Sequence, residues 1–159
     1  MSKVMPGRYT AETSEPFLVF LIGMRINKIF ALNKWLPTAM AMRPMLQTLY
    51  KHPEKGFLGG ESFLYSRGAG LIQYWRSFED LERFARSPEE PHLSAWQRFN
   101  RVVGADGSVG IWHESYLVNP GNYEAIYGNM PIFGLAAATK HVSITGIRET
   151  ARQRVTNPT

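Results

Sequence analysis

Apolar stretches alternate with polar punctuation along the first 118 residues, and their periods predict the elements. Phe17 to Asn27, FLVFLIGMRIN, is apolar with little alternation, as expected of a central strand covered on both faces. Lys34 to Tyr50 returns Trp35, Leu36, Ala39, Met40, Met42, Met45, Leu46 and Leu49 at mostly helical spacing, opened by Asn33 or the loop before it. Pro37 suits a first turn, whereas Pro44 predicts a break, so two short helices or one bent helix are expected. Phe57 to Arg67 reads as a strand with a bulge or close approach at Gly59-Gly60. Gly68-Ala69-Gly70 reads as a hairpin turn, and Leu71 to Ser77 as the paired strand. Ser77 or a neighbour caps a helix whose buried stripe is Phe78, Leu81 and Phe84-Ala85. Ser87 to Pro91 interrupts it. A second piece, His92 to Val103, aligns Leu93, Trp96, Phe99 and Val103 on one face, with His92 at its N-terminal lip. The last strand is Val109 to Val118, stopped by Asn119-Pro120-Gly121-Asn122. Strand alternation puts Val109, Ile111, His113, Ser115 and Leu117 on one face, and Trp112, Glu114, Tyr116 and Val118 on the other.

This order, β-α-β-β-α-β, is the split-βαβ or ferredoxin-like pattern, an α+β class with a four-stranded antiparallel sheet. Residues 1–16 read as a polar N-terminal arm, 17–118 as the ferredoxin-like domain, and 119–159 as a C-terminal extension. Two helices on one face leave the other face of an apolar sheet uncovered. A homodimer with two sheets stacked face to face is therefore expected, each half enclosing a pocket between its own sheet and helices.

Composition sharpens this only in part. The chain has 159 residues, 44% hydrophobic and 19% charged, which suits a globular core. Aromatics at 13% favour a pocket or an interface. The formal charge of +5 comes from scattered basic residues and a short tail, Arg148, Arg152 and Arg154, with no basic stripe to read nucleic acid. Absence of cysteine removes disulfides, thiolate nucleophiles and cysteine-held metals. No apolar run resembles a signal peptide or spans a membrane, so a cytoplasmic protein is expected.

Four histidines carry most of the candidate chemistry. His52, beside a turn, and His141, in the extension, read as surface or tail residues. His92 and His113 are the candidates for a general base, a hydrogen-bond anchor or a haem ligand. No sequence-close metal motif, serine-nucleophile motif or phosphate loop is present. His113 and Glu114 point to opposite faces and cannot pair. The aromatic set Tyr74, Trp75, Trp96, Trp112, Tyr116, Tyr123, Tyr127 and Phe133 supplies either a packed core or a broad apolar pocket for a planar ligand. The three methionines of the first helix suit adaptable packing or a flexible apolar wall.

The runs YWRSFEDLERFARSPEEPHLSAWQRFN, VGIWHESYLV and YEAIYGNMPIFGLA resemble the DUF4188, or fungal-monooxygenase-like, family. It is a branch of the dimeric α/β-barrel superfamily that includes antibiotic-biosynthesis monooxygenases. The resemblance covers most of residues 5–140. It implies an oxygen-using monooxygenase acting on a hydrophobic, polyketide- or terpenoid-like molecule, often without metal or flavin. His113 would be the base or anchor, and Trp96, Trp112, Tyr116 and Tyr127 would shape the pocket. Residues 123–135, with Asn129, Met130 and Phe133, would form a family-specific flap closing the pocket or crossing the dimer. Haem-degrading relatives and aldoxime dehydratases of this fold imply the alternative, a haem protein with His92 or His113 as axial ligand. A non-catalytic binding protein is the remaining reading.

Overall fold

The apolar run at residue 17 becomes the strand on which the sheet is built. A computed structural model describes residues 2–156. Its elements are β1 (Met5–Glu12), β2 (Phe17–Ile26), α1 (Leu32–Lys51), β3 (Phe57–Tyr65), β4 (Gly68–Trp75), α2 (Phe78–Arg86), α3 (Pro91–Val102), β5 (Val109–Val118), β6 (Tyr127–Met130), α4 (Leu135–Ala138), β7 (Lys140–Ser143) and α5 (Ala151–Thr156). Met1 and residues 157–159, the outermost parts of the expected arm and extension, lie outside the described residues.

The main sheet has the order β3-β4-β2-β5 with every neighbour antiparallel, which is the ferredoxin-like arrangement. It is an open sheet and closes no barrel within the chain. Register fixes its faces. Ile22 stands opposite both Leu71 and His113, and Leu18 opposite both Trp75 and Leu117. One face therefore carries Leu18, Phe20, Ile22 and Met24 with Ile111, His113 and Ser115. On it Met45 and Leu49 of α1, and Leu81 and Phe84 of α2, close around Leu18, Phe57 and Trp75. Trp75 is fully buried between the rings of Phe57 and Phe84, and its Nε1 donates to Gln73 Oε1 at 2.9 Å.

The helices follow their signals. Ser77 Oγ accepts the Asp80 backbone N–H at 3.1 Å and caps α2. Pro91 opens α3, where a missing N–H costs nothing. In α1, which starts at Leu32 just before Asn33, one helix rather than two short ones runs through both Pro37 and Pro44. Pro44 lies on the exposed side of the helix, where a carbonyl left without its N–H partner meets water.

The hairpin turn also sits earlier than the glycines suggest. Tyr65 pairs with Gly68, so the loop is Ser66-Arg67, with Arg67 taking the positive φ of 62°. The glycines serve instead as bare strand under aromatic rings. Trp112 lies across Gly23, where an added Cβ would stand 2.7 Å from the indole nitrogen. The bulge expected near Gly59-Gly60 is present, as a register shift between Phe57 and Gly59.

The chain's two ends depart most from their sequence pattern. Residues 5–12 are not a loose arm: β1 is the central strand of a second sheet, β6-β1-β7. Only Thr10 and Ala11 of it are buried, too little hydrophobicity to announce a strand, and its backbone pairing on both sides holds it. This sheet and α4 pack Ala11, Leu135 and Ala136 against Phe17, Val19, Tyr74 and Val118, covering one end of the outer face.

At that contact, burial first, then the charges of Tyr127 and Glu61, push the Tyr74 hydroxyl up to about 12, against the Leu135 backbone, which favours ionisation. A raised pKa means the folded state holds this proton more tightly than the unfolded chain. Its contribution to stability is full below the ordinary tyrosine value and is lost as pH rises from about 10 to about 12. Urea unfolding across that window is expected to show a shallower alkaline loss in Tyr74→Phe than in the parent. An identical loss would place the titration elsewhere.

Candidate functional site

The helix face of the sheet is not fully packed. Between β2–β5 and helices α1 and α3 lies a cavity of about 1100 Å³. Its walls are apolar: Ile22 and Met24 from β2, Met42, Met45 and Leu46 from α1, Leu71 from β4, Leu93 and Phe99 from α3, and Ile111 from β5. Such a volume exceeds what a core leaves between close-packed side chains and reaches the upper end of small-molecule sites.

Both candidate histidines line it. His113 projects from the helix face of edge strand β5, its ring 5.6 Å from that of Phe20. The ring is exposed in the single chain and has no hydrogen-bond partner among the described residues, so both nitrogens are available to a ligand. His92 stands in the first turn of α3. Its Nδ1 lies 3.1 Å from the Ala85 carbonyl at the end of α2. A donated Nδ1–H fixes the tautomer and leaves the Nε2 lone pair free. A smaller chamber of about 210 Å³ adjoins the cavity and shares Ile22, Met42, Met45, Ala85, His92 and His113 with it. The histidines thus stand where the two spaces meet.

Trp96 also lines the cavity from α3. It stacks on Phe99 at 5.9 Å and 14° and remains 47% exposed toward the mouth. Trp112 borders the floor, but its indole is turned to the outer face, donating to the Tyr65 hydroxyl at 2.7 Å. Tyr65 in turn donates to the Met24 carbonyl at 2.7 Å. This chain bridges the sheet from β5 to β3.

The remaining expected pocket residues lie elsewhere. Tyr116 is on the exposed outer face and donates to Glu114 Oε2 at 2.5 Å, which pushes its own pKa up. Tyr127 accepts the Ala136 N–H at 3.3 Å, Asn129 accepts the Gly7 N–H at 3.0 Å, and Met130 and Phe133 are exposed beside them. The stretch expected to close the pocket or cross the dimer forms, within the chain, the edge strand β6 and the lead into α4, on the opposite side of the sheet from the cavity, so it does not close that pocket. Its aromatic richness serves the seam between the two sheets. Glu61 of β3 accepts the Gly134 N–H at 3.4 Å.

Arg43, Gln47 and Ser62 also line the cavity and carried no sequence signal as site residues. Arg43 and Gln47 are one helical turn apart on the same flank, visible only once Pro44 is known not to break α1. Among the described residues no group of three or more His, Asp or Glu is placed to hold a metal ion, and no helix is long and apolar enough to cross a membrane.

Comparison with known proteins bears on the whole main sheet. The family profile described as monooxygenase af470-like matches residues 17–135. Monooxygenase af470 of Aspergillus fumigatus is 28% identical over 137 residues, covering 79% of this chain and 48% of that protein. Among solved structures, aldoxime dehydratase OxdRE in complex with butyraldoxime superposes with a TM-score of 0.62 at 18% identity, over 82% of this chain and 41% of its own. A further aldoxime dehydratase gives 0.61 at 19%, over 82% and 42%. The chain spans about half the length of the curated relative it matches, and the structural likeness shows the shared fold.

Proposed function

The chain belongs to the monooxygenase af470-like family, and from that premise we propose that it is an oxygen-using monooxygenase acting on a hydrophobic, electron-rich molecule held between the sheet and helices α1 and α3. The observation that carries this reading is the apolar cavity with His113 on its wall and both nitrogens of that ring unengaged. His113 takes a proton from an acidic C–H or O–H of the substrate. The carbanion gives one electron to dioxygen, and the two radicals join as a peroxide. Loss of water from that peroxide leaves one oxygen atom in the product and one in water, converting CH₂ to C=O with no outside reductant. His113 then returns its proton to the departing hydroxide. Trp96 and Phe99 supply a flat wall for a conjugated substrate. Oxygen uptake with a panel of phenols, quinols and polyenes tests this. Uptake above background supports it, and background uptake across the panel with retained binding favours a non-catalytic binding protein.

His92 favours a second reading. An axial histidine commonly donates its other ring N–H to a carbonyl, the bond His92 makes to Ala85. The cavity volume and its apolar walls fit a haem, which His92 would hold through Nε2. Haem would supply an iron centre for aldoxime dehydration or oxygen chemistry. A Soret band on haem addition that is lost in His92→Ala supports it; no band removes it. The uncovered part of the outer face, around Trp112 and Tyr65, supports a homodimer, which sedimentation of the purified chain reads.

A further inference from the structure

The cavity wall carries one permanently charged side chain among the described residues, Arg43, and no carboxylate. No Asp or Glu of the described residues pairs with it. Most of this protein's other arginines near acids are engaged: Arg76 and Arg83 on Asp80, Arg86 on Glu82, Arg148 on Glu12 and Arg154 on Glu124. An unpaired guanidinium at an otherwise apolar cavity is placed to meet an anion that arrives with the ligand, because Arg offers a planar fork matched to carboxylate.

Its position in the fold says where that anion sits. Tyr50, seven residues on and therefore on the same flank of α1, donates to the Gly60 carbonyl of β3 at 3.2 Å. This flank faces β3, one edge of the sheet, whereas His113 is on β5, the other edge. Three strand spacings separate the edges, about 14 Å in all. Gln47, one turn from Arg43, and Ser62 of β3 add neutral donors at the β3 side.

We infer that the substrate is an elongated apolar acid, its carboxylate held by Arg43 at the β3 side and its reacting carbon lying toward His113. This deepens the monooxygenase reading and rests on it for the identity of the reacting end. Binding alone tests it, with cis-parinaric acid and its methyl ester as fluorescent probes of the same length, one anionic and one neutral. The parent chain is expected to bind the acid about fivefold more tightly than the ester, between the values for exposed and desolvated charged pairs. Arg43→Met, at an exposed position and without effect on the thermal midpoint, is expected to bind the two equally. Arg43→Lys retains most of the preference. Equal binding by the parent, or a preference that survives Arg43→Met, overturns the inference while leaving the cavity as a site. Binding of neither probe overturns it together with the reading of the cavity as a lipophilic site.

Discussion

His113→Ala is expected to lower oxygen-consuming turnover by about 10²–10⁴-fold, the usual contribution of a positioned general base. The protein's urea midpoint should hardly move. The ring is exposed, has no hydrogen-bond partner among the described residues and lies beside Phe20, so its removal falls within about 0.5 kcal/mol. The separation of the two effects is the informative part. His92→Ala behaves differently, because it releases the Ala85 carbonyl at the α2–α3 junction and loosens the helix pair that roofs the cavity. Steady-state oxygen uptake and urea unfolding of both variants read this. Full activity in His113→Ala with loss in His92→Ala would move the chemistry to α3.

Trp75→Ala is expected to cost about 3–5 kcal/mol, the range for removing a large buried aromatic, and so a large share of the ~5–15 kcal/mol that holds an average domain. Trp75 is fully enclosed and links the sheet, through Phe57 and Phe84, to α2. Its loss opens a cavity and also strips Gln73 Oε1, itself buried, of its donor. Trp75→Phe keeps most of the volume and isolates the hydrogen-bond share. Equilibrium urea unfolding measures both, and a loss below about 1 kcal/mol for Trp75→Ala would mean that the core relaxes around the gap.

The main sheet was legible from the chain because its strands are apolar enough to declare themselves. The alternation assigned to β5, with His113 on the face of Ile111 and Ser115, is the one the register with β2 enforces. Ser77 likewise caps α2, whereas Pro91, read as part of the interruption, is the first residue of α3. The second sheet was not legible. β1 contains Arg8, Tyr9 and Thr10 in place of an apolar stripe, and its partners lie more than a hundred residues away, so nothing local signals it. The same distance hid the role of Tyr127, whose ring packs in the seam between the two sheets. Local punctuation misled at Gly68-Ala69-Gly70, where the glycines make room for rings rather than a turn.

The candidate site was legible in its histidines and in Trp96, and not in its shape. Met42 and Met45 do line the cavity, whereas Met40 faces solvent. Arg43 reads as one more scattered basic residue until the helix is continuous and its flank is known. The parts of a site that depend on one element's rotation against another need the fold.

Mass spectrometry of the product formed under ¹⁸O₂ in ordinary water, by protein whose absorption spectrum has been recorded, tests the central claim most directly. The account predicts one labelled oxygen in the product, one in water, and loss of both in His113→Ala. Product formed without oxygen, or carrying oxygen from water alone, would contradict it.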